Sequence, residues 1–283
     1  MQASIKFIRK ELTGLYHEGE IESLIRIIFE KLRRYTLSDL MLKKDVLLTE
    51  EENQQILQIV ARLKKQEPIQ YILGETEFYG LPFKVTPSVL IPRPETEELV
   101  DWILKSRQTQ APRILDMGTG SGCIPISLKK HWPEAEVMGC DISEEALDVA
   151  RKNAGLNKTE VAFFHLNILN PLLPESFPGI DILVSNPPYV TDSEKAVMSD
   201  LVLNNEPAKA LFVPDEDPLV FYQALTTFAL KHLRYGGQLF WEINEAFGEE
   251  SVALLKENGF SNVTLRKDIN GKNRMIYAER LRP

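Results

Sequence analysis

Three glycines set two residues apart, Gly118, Gly120 and Gly122, follow the apolar run Arg113-Ile114-Leu115-Asp116-Met117 and lead into a helix-like stretch from Cys123 to Lys130. A strand that turns through glycines into a helix is half of a βαβ unit, and a parallel neighbour strand can be reached only through such a crossover. Further apolar runs at Ala135 to Cys140, Glu160 to Leu166 and Ile180 to Ser185, with a helical pattern over Glu145 to Ala154, continue the alternation. This predicts an α/β fold whose mostly parallel, Rossmann-like sheet carries helices on both faces. Later strands are expected at Gln238 to Ile243, Asn262 to Lys267 and Arg274 to Glu279. Asn270-Gly271 between the final pair favours a hairpin, so the last strand should be antiparallel.

The glycine spacing narrows the ligand. A dinucleotide fingerprint places glycine first, third and sixth, whereas here the third glycine is at the fifth position and Cys123 stands sixth. Asp141 follows the next strand, nineteen positions after Gly122, where a carboxylate can accept both hydroxyls of a ribose. A nucleoside fits this pattern better than a pyrophosphate. Around the loop, Asp116, Thr119 and Ser121 join the glycines as candidates. Asp116 can organise the loop, meet an ammonium group or serve as a helix-cap carboxylate, and Asp141 also has a capping role open to it, which Ser143 could take instead. Asn167 and Ile168, near the end of the third strand, could reach a base edge, although an Asn ahead of Pro171 also suits a turn.

A second motif, Asn186-Pro187-Pro188-Tyr189, arrives directly after the strand Ile180 to Ser185. Two prolines cannot continue a ladder, so the chain leaves the sheet there and Asn186 lands at a strand's carboxyl end, where open α/β sheets bind ligands. An amide or exocyclic amino nitrogen is a poor nucleophile because its lone pair is delocalised. If the Asn186 side-chain oxygen and the Pro187 carbonyl each accept one of its hydrogens, the nitrogen is fixed and its lone pair aimed, with Pro188 beside it and Tyr189 covering the flat face. The bland alternative is a loop punctuated by two prolines.

Together the Asp-x-Gly-x-Gly-x-Gly loop at 116 to 122, Asp141 and Asn186 to Tyr189 resemble the class I S-adenosylmethionine-dependent methyltransferases, specifically the glutamine N5-methyltransferases that modify peptide chain release factors. Ile91-Pro92-Arg93-Pro94-Glu95-Thr96 is similar to that family's segment before the catalytic domain, and Glu67-Pro68-Ile69-Gln70-Tyr71-Ile72-Leu73-Gly74 to the end of its helical substrate-recognition domain. The resemblance implies S-adenosyl-L-methionine as methyl donor and the glutamine of a Gly-Gly-Gln motif in class 1 release factors as acceptor. It implies Asn186, Pro187 and Tyr189 as catalytic residues; Arg93, Pro94, Glu95 and Thr96, in the element just before the first strand, can border the donor pocket or form a rigid linker with a helix cap. Three stretches depart from the family: Leu203-Asn204-Asn205-Glu206-Pro207 lacks its arginine, Pro214 to Leu219 replaces a Gly-x-Asp-Gly-Leu segment, and Asn244 stands where Glu-Ile-Gly ends in glycine. These departures put loop contacts in question and leave the donor motifs intact.

The first third reads helical: Ile21, Leu24, Ile25, Ile28, Phe29 and Leu32 recur at helical spacing, as do Ile56, Ile59, Val60 and Leu63 after a capping-box pattern at Thr49 to Glu52. The expected division is a helical bundle over residues 1–75, a hairpin-like linker over 76–95 with its turn at Gly80-Leu81-Pro82, and a catalytic domain over 96–283. A formal charge of -8, with the first 80 residues near neutral, argues against a broad nucleic-acid footprint. Arg33-Arg34 and Lys43-Lys44 read as solvated helix faces. Four scattered histidines offer no metal-ligand spacing, two cysteines no disulfide framework, and no apolar run approaches a membrane span, so the cytoplasm is the expected location. Rival readings are an N-methyltransferase acting on a ribosomal-protein glutamine or on adenine, and a non-catalytic nucleoside-binding module that docks on translation factors. Thr191 to Asp217 is expected to be a long, weakly periodic loop enclosing the substrate.

Overall fold

Capping and periodicity decide where the helices of the first third begin and what they bury. The structure is a computed structural model and describes residues 1–281. Its opening helices are α1 (Gln2–Leu12), α2 (Glu18–Arg33), α3 (Leu37–Leu42), α4 (Glu50–Leu63) and α5 (Ile69–Leu73). The capping box at α4 is present: the Glu52 amide donates to Thr49 Oγ1 at 3.2 Å and the Thr49 amide donates to Glu52 Oε2 at 2.7 Å. Thr36 and Asp39 build a second box at α3. The periodic residues of α2 and α4 close on Ile8 and Leu12 of α1 in one apolar core. Burying each such side chain contributes roughly 1.5–3 kcal/mol. Arg33 is paired with Glu52 and Lys43 with Asp39, so both candidate basic pairs carry an acidic partner.

The strands β1 (Glu75–Phe78) and β2 (Leu81–Lys84) form an antiparallel hairpin. Its turn lies earlier than Gly80-Leu81-Pro82, at Tyr79 and Gly80, both left-handed with φ of 50° and 71°. Two consecutive positive φ angles match the twist of the flanking strands, so Pro82 is drawn into β2 opposite Glu77. The chain continues through α6 (Pro94–Lys105), β3 (Arg113–Met117), α7 (Cys123–His131), β4 (Glu136–Asp141), α8 (Glu144–Asn157), β5 (Ala162–His165) and β6 (Ile180–Ser185). It then runs through β7 (Val190–Thr191), α9 (Asp200–Leu203), β8 (Phe212–Val213), α10 (Val220–His232), β9 (Leu233–Glu242), α11 (Gly248–Glu257), β10 (Phe260–Lys267) and β11 (Asn273–Arg280). Asn153 and Asn157 of α8 hold the hairpin: Asn153 Nδ2 donates to the Lys84 carbonyl and Asn157 Nδ2 to that of Pro82, each at 2.9 Å.

Seven strands form one sheet in the order β10-β11-β9-β6-β3-β4-β5. The pairs β3·β4, β3·β6, β4·β5 and β6·β9 are parallel, and β11 is antiparallel to both its neighbours, as the Asn-Gly turn predicts. Alternation along β6 sends Ile182 and Val184 to one face with Leu99, Ile103 and Phe240, and Leu183 to the other with Tyr222, Leu239 and Trp241. After β3 the chain builds first outward to β4 and β5 and then back to β6 on the opposite side, so a crevice opens beyond the carboxyl ends of β3, β4 and β6.

The segment from Thr191 to Asp217 is more ordered than its weak periodicity suggests. Val190 and Thr191 pair in parallel with Phe212 and Val213, and α9 with two 3₁₀ turns fills the interval. By contacts, the chain divides into one unit of Met1–Gly74 with Ser199–Asn205 and another of Glu75–Met198 with Glu206 onward. The hairpin β1/β2 thus counts with the sheet, and α9 with the opening helices, where Asn205 Nδ2 donates to the Gln66 carbonyl at 2.9 Å.

Candidate active site

A cavity of about 600 Å³ opens at this crevice, within the range of small-molecule sites. Gly118, Thr119, Gly120 and Ser121 line one wall, Asp141 and Ile142 the next, Asn167 and Ile168 a third, and Asn186 and Pro188 the far end. Arg93 and Thr96 border it. Sequence pattern singled out all of these but Ile142, and Pro207 to Ala210 and Phe212, which also reach the wall, lie in the Thr191 to Asp217 segment expected to enclose the substrate.

Backbone hydrogen bonds fix the glycine loop. The Gly118 and Thr119 amides both donate to the Cys140 carbonyl at 2.9 Å, and the Gly120 amide donates to Asp141 Oδ2 at 2.8 Å. Gly122 caps α7 at φ 78°, and a Cβ there would lie 3.1 Å from that of Ala150, so both conformation and space call for glycine. Gly122 therefore shapes the loop without facing the cavity. Asp141 Oδ1 accepts the Ser143 amide, while the Ser143 hydroxyl caps α8, so the capping role falls to Ser143. Burial raises the Asp141 carboxyl, against backbone donors that pull it down. Asn167 Oδ1 accepts the Leu169 amide at 2.9 Å, which is the turn chemistry, while the residue still lines the cavity.

Asp116 lies beneath the loop rather than on the wall. It is fully buried, and among the described residues neither carboxylate oxygen has a hydrogen-bond partner of ordinary geometry. Burial pushes the group up to about 7, with the Thr119 hydroxyl working against the shift and the Asp141 charge adding to it. Direct contact between Asp116 and an ammonium in the cavity has no support in this placement.

At the far end, Asn186 Nδ2 donates to Thr96 Oγ1 at 3.2 Å. The Thr96 hydroxyl donates to Glu242 Oε2 at 2.6 Å, and the Tyr189 hydroxyl to Glu242 Oε1 at 2.8 Å. Pro187 and Tyr189 are absent from the cavity wall; Tyr189 packs on the core beneath, and the apolar surface beside Asn186 is Pro188. Pro94 and Glu95 likewise stay off the wall and form the first turn of α6. Glu242 is the residue that sequence reasoning passed over. Its signal was a carboxylate at the end of an otherwise apolar strand, Leu239-Phe240-Trp241-Glu242. Burial raises its carboxyl, opposed by the Thr96 and Tyr189 hydroxyls and the Arg274 charge.

The departures from the family pattern have structural partners. Asn244 Nδ2 donates to the Tyr189 carbonyl at 3.0 Å and to Glu194 Oε2 at 2.8 Å, so a side chain ties down the loop behind Asn186 to Tyr189. Asp215 Oδ1 accepts the Ser193 amide at 3.0 Å. Glu206, side chain fully buried, accepts from Arg93 and from the Ile91 amide, which joins the Pro-Arg-Pro segment to the wall at Pro207. Leu203 ends α9.

Family models and known proteins match most of this chain. Residues 96–212 match the family model described as methyltransferase small domain, and residues 5–74 that of the PrmC N-terminal domain. A release factor glutamine methyltransferase from Flavobacterium psychrophilum is 48% identical over 94% of this chain and 94% of its own. One from Bacteroides thetaiotaomicron is 45% identical over 97% and 98%. Among solved structures, a methyltransferase from Pyrococcus furiosus has a TM-score of 0.55 at 17% identity, covering 83% of this chain and 100% of that one. A Thermus thermophilus 16S rRNA N2 G1207 methyltransferase in complex with AdoMet and guanosine has a TM-score of 0.51 at 21% identity, over 73% and 49%. At such identities the two structures speak for the fold alone.

Proposed function

Since this chain belongs to the release factor glutamine methyltransferase family, we propose that it methylates N5 of the glutamine in the Gly-Gly-Gln motif of class 1 peptide chain release factors, with S-adenosylmethionine as donor. The observation that carries the reading is the placement of Asn186 and Pro188 at one end of a cavity whose other walls are the glycine loop and Asp141. The residues present suit the donor. A glycine-lined wall admits its amino-acid end, the Asp141 carboxylate suits a ribose, and Ile142, Ile168 and Asn167 suit a base. When bound, the donor supplies an electrophilic methyl group on a sulfonium.

The chain's own part is to hold the acceptor. Asn186 Oδ1 and the Pro187 carbonyl would each accept one hydrogen of the glutamine amide, with Pro188 against its flat side. Held there, the nitrogen loses its freedom to turn away from the donor, and orientation of this kind is worth up to ~7–11 kcal/mol. The C–N bond would form at the expense of the donor's C–S bond, whose electron pair stays on sulfur, and the nitrogen would release one hydrogen as a proton to solvent; no strong base is assigned. Tyr189 acts from below as a brace through Glu242. The reading places the chain with release factors in the cytoplasm; no helix among the described residues is long and apolar enough to cross a membrane.

The test is transfer of label from S-adenosylmethionine to a purified release factor, to the same factor with its Gly-Gly-Gln glutamine replaced, and to nucleic acid. Label that disappears with the glutamine is the expected result. Label on nucleic acid alone would overturn the acceptor.

A further inference from the structure

A side-chain amide has nearly the same shape after a half-turn that exchanges its oxygen and nitrogen, but the turn reverses what it offers a ligand. Asn186 must show its oxygen to accept hydrogens from a substrate nitrogen, so something must choose the turn. Among the described residues the one hydrogen-bond partner of its side chain is Thr96, in the first turn of α6. Thr96 has a single hydroxyl hydrogen and gives it to Glu242 at 2.6 Å. Glu242, fully buried at the end of β9, has no hydrogen to give as a carboxylate and is filled from the other side by the Tyr189 hydroxyl. With its hydrogen spent, Thr96 presents only lone pairs to Asn186. The amide can meet it only through its NH₂ group, which leaves Oδ1 as the free acceptor at a cavity that both residues line.

We propose that Thr96 and Glu242 are positioning residues that set the amide polarity of Asn186, and that this polarity makes the site select a carboxamide over a carboxylate. The inference rests on the functional reading above and extends it. A glutamine side chain brings two N–H donors, one for Oδ1 and one for the Pro187 carbonyl. A glutamate of the same shape brings only acceptors, and faces an oxygen that cannot turn away without setting NH₂ aside from Thr96. Shape does little to separate these two side chains, so hydrogen-bond polarity carries the discrimination.

The test measures binding of a release factor carrying Gly-Gly-Gln and of the same factor carrying Gly-Gly-Glu, with S-adenosylhomocysteine present so that no transfer occurs. The wild-type chain should favour the glutamine form by about tenfold or more. Thr96→Val removes the hydroxyl at nearly constant shape, frees Asn186 to turn, and should bring the two affinities within about threefold of each other. Thr96→Ser restores the hydroxyl and should restore the preference. Thr96→Ala repeats the loss of the hydroxyl should the valine variant not fold. A valine or alanine variant that weakens both forms equally, keeping the wild-type ratio, overturns the positioning role and leaves the functional reading standing. A wild-type chain that binds neither form overturns both.

Discussion

The Tyr189 hydroxyl donates to Oε1 of Glu242 across 2.8 Å, joining the loop beyond β6 to the end of the neighbouring strand β9. Burial holds the Tyr189 phenol well above its usual 10, so it stays a donor at any physiological pH. Tyr189→Phe keeps the ring and leaves the buried carboxylate one donor short. The expected cost is about 1–3 kcal/mol of folding stability, read by chemical denaturation. An unchanged midpoint would mean that Glu242 does not depend on this contact.

Asn186→Ala should remove the acceptor while leaving the glycine loop and Asp141 in place. By analogy with the loss of a preorganised polar contact, the expected fall in kcat is about 100-fold, or on the order of 3 kcal/mol. Donor affinity, measured by titration without release factor, should change far less. Wild-type turnover in this variant would refute the role given to Asn186.

Arg93 and Glu206 should respond unequally to substitution. The Glu206 side chain is fully buried, whereas that of Arg93 keeps 35% of its exposure. Arg93→Ala strands a buried carboxylate with only the Ile91 amide at 3.2 Å and should cost about 3 kcal/mol. Glu206→Gln can still accept hydrogens while Arg93 turns to water, so about 1 kcal/mol is expected. Paired thermal denaturation curves decide it, and the reverse ranking would sink the argument.

Asp116 predicts a dependence of stability on pH. Its carboxyl is raised to about 7 by burial, whereas an unfolded chain releases that proton near 4. The folded state therefore gains from holding the proton: the contribution is complete below about pH 4 and is lost as pH rises through 7. Above that the charge sits buried, with the Thr119 hydroxyl opposing only part of the cost. Asp116→Asn should be the more stable protein at pH 8, by on the order of 4 kcal/mol, with the gap closing toward pH 4. Parallel unfolding midpoints of the two proteins across that range would count against it.

Much of the sheet was legible because its signals are local. An apolar run before a glycine turn, an Asn-Gly between two alternating runs, and Thr49 three residues ahead of Glu52 each name an element without reference to distant parts of the chain. The first third read as helical, but the bounds of α1 were not legible because charged residues interrupt its apolar positions, and only the partners from α2 and α4 reveal that Ile8 and Leu12 lie on its buried face. The pairing of β7 with β8 was hidden because two residues per strand carry no period. At the site, the glycine loop, Asp141 and Asn186 could be named from spacing. Which of them face the cavity could not: Asp116 stands two residues before Gly118 and Tyr189 one after Pro188, which line it, yet neither lines it itself. Glu242 was beyond reach for another reason, since its meaning lies in a hydrogen bond to Thr96, 146 residues away.

The placement of β11 between β9 and β10 bears on how the molecule is made. A ribosome delivers β9 and β10 first, and neither can close its ladder until the eight residues Asn273–Arg280 emerge and slide between them. Until then two strand edges stand open at once, and Arg274, whose charge steadies Glu242, has yet to arrive. The half of the sheet that shapes the glycine loop can therefore form early in synthesis, while the surroundings of Glu242 are completed among the last. A nascent chain of this kind would hold a donor pocket before it could hold its acceptor.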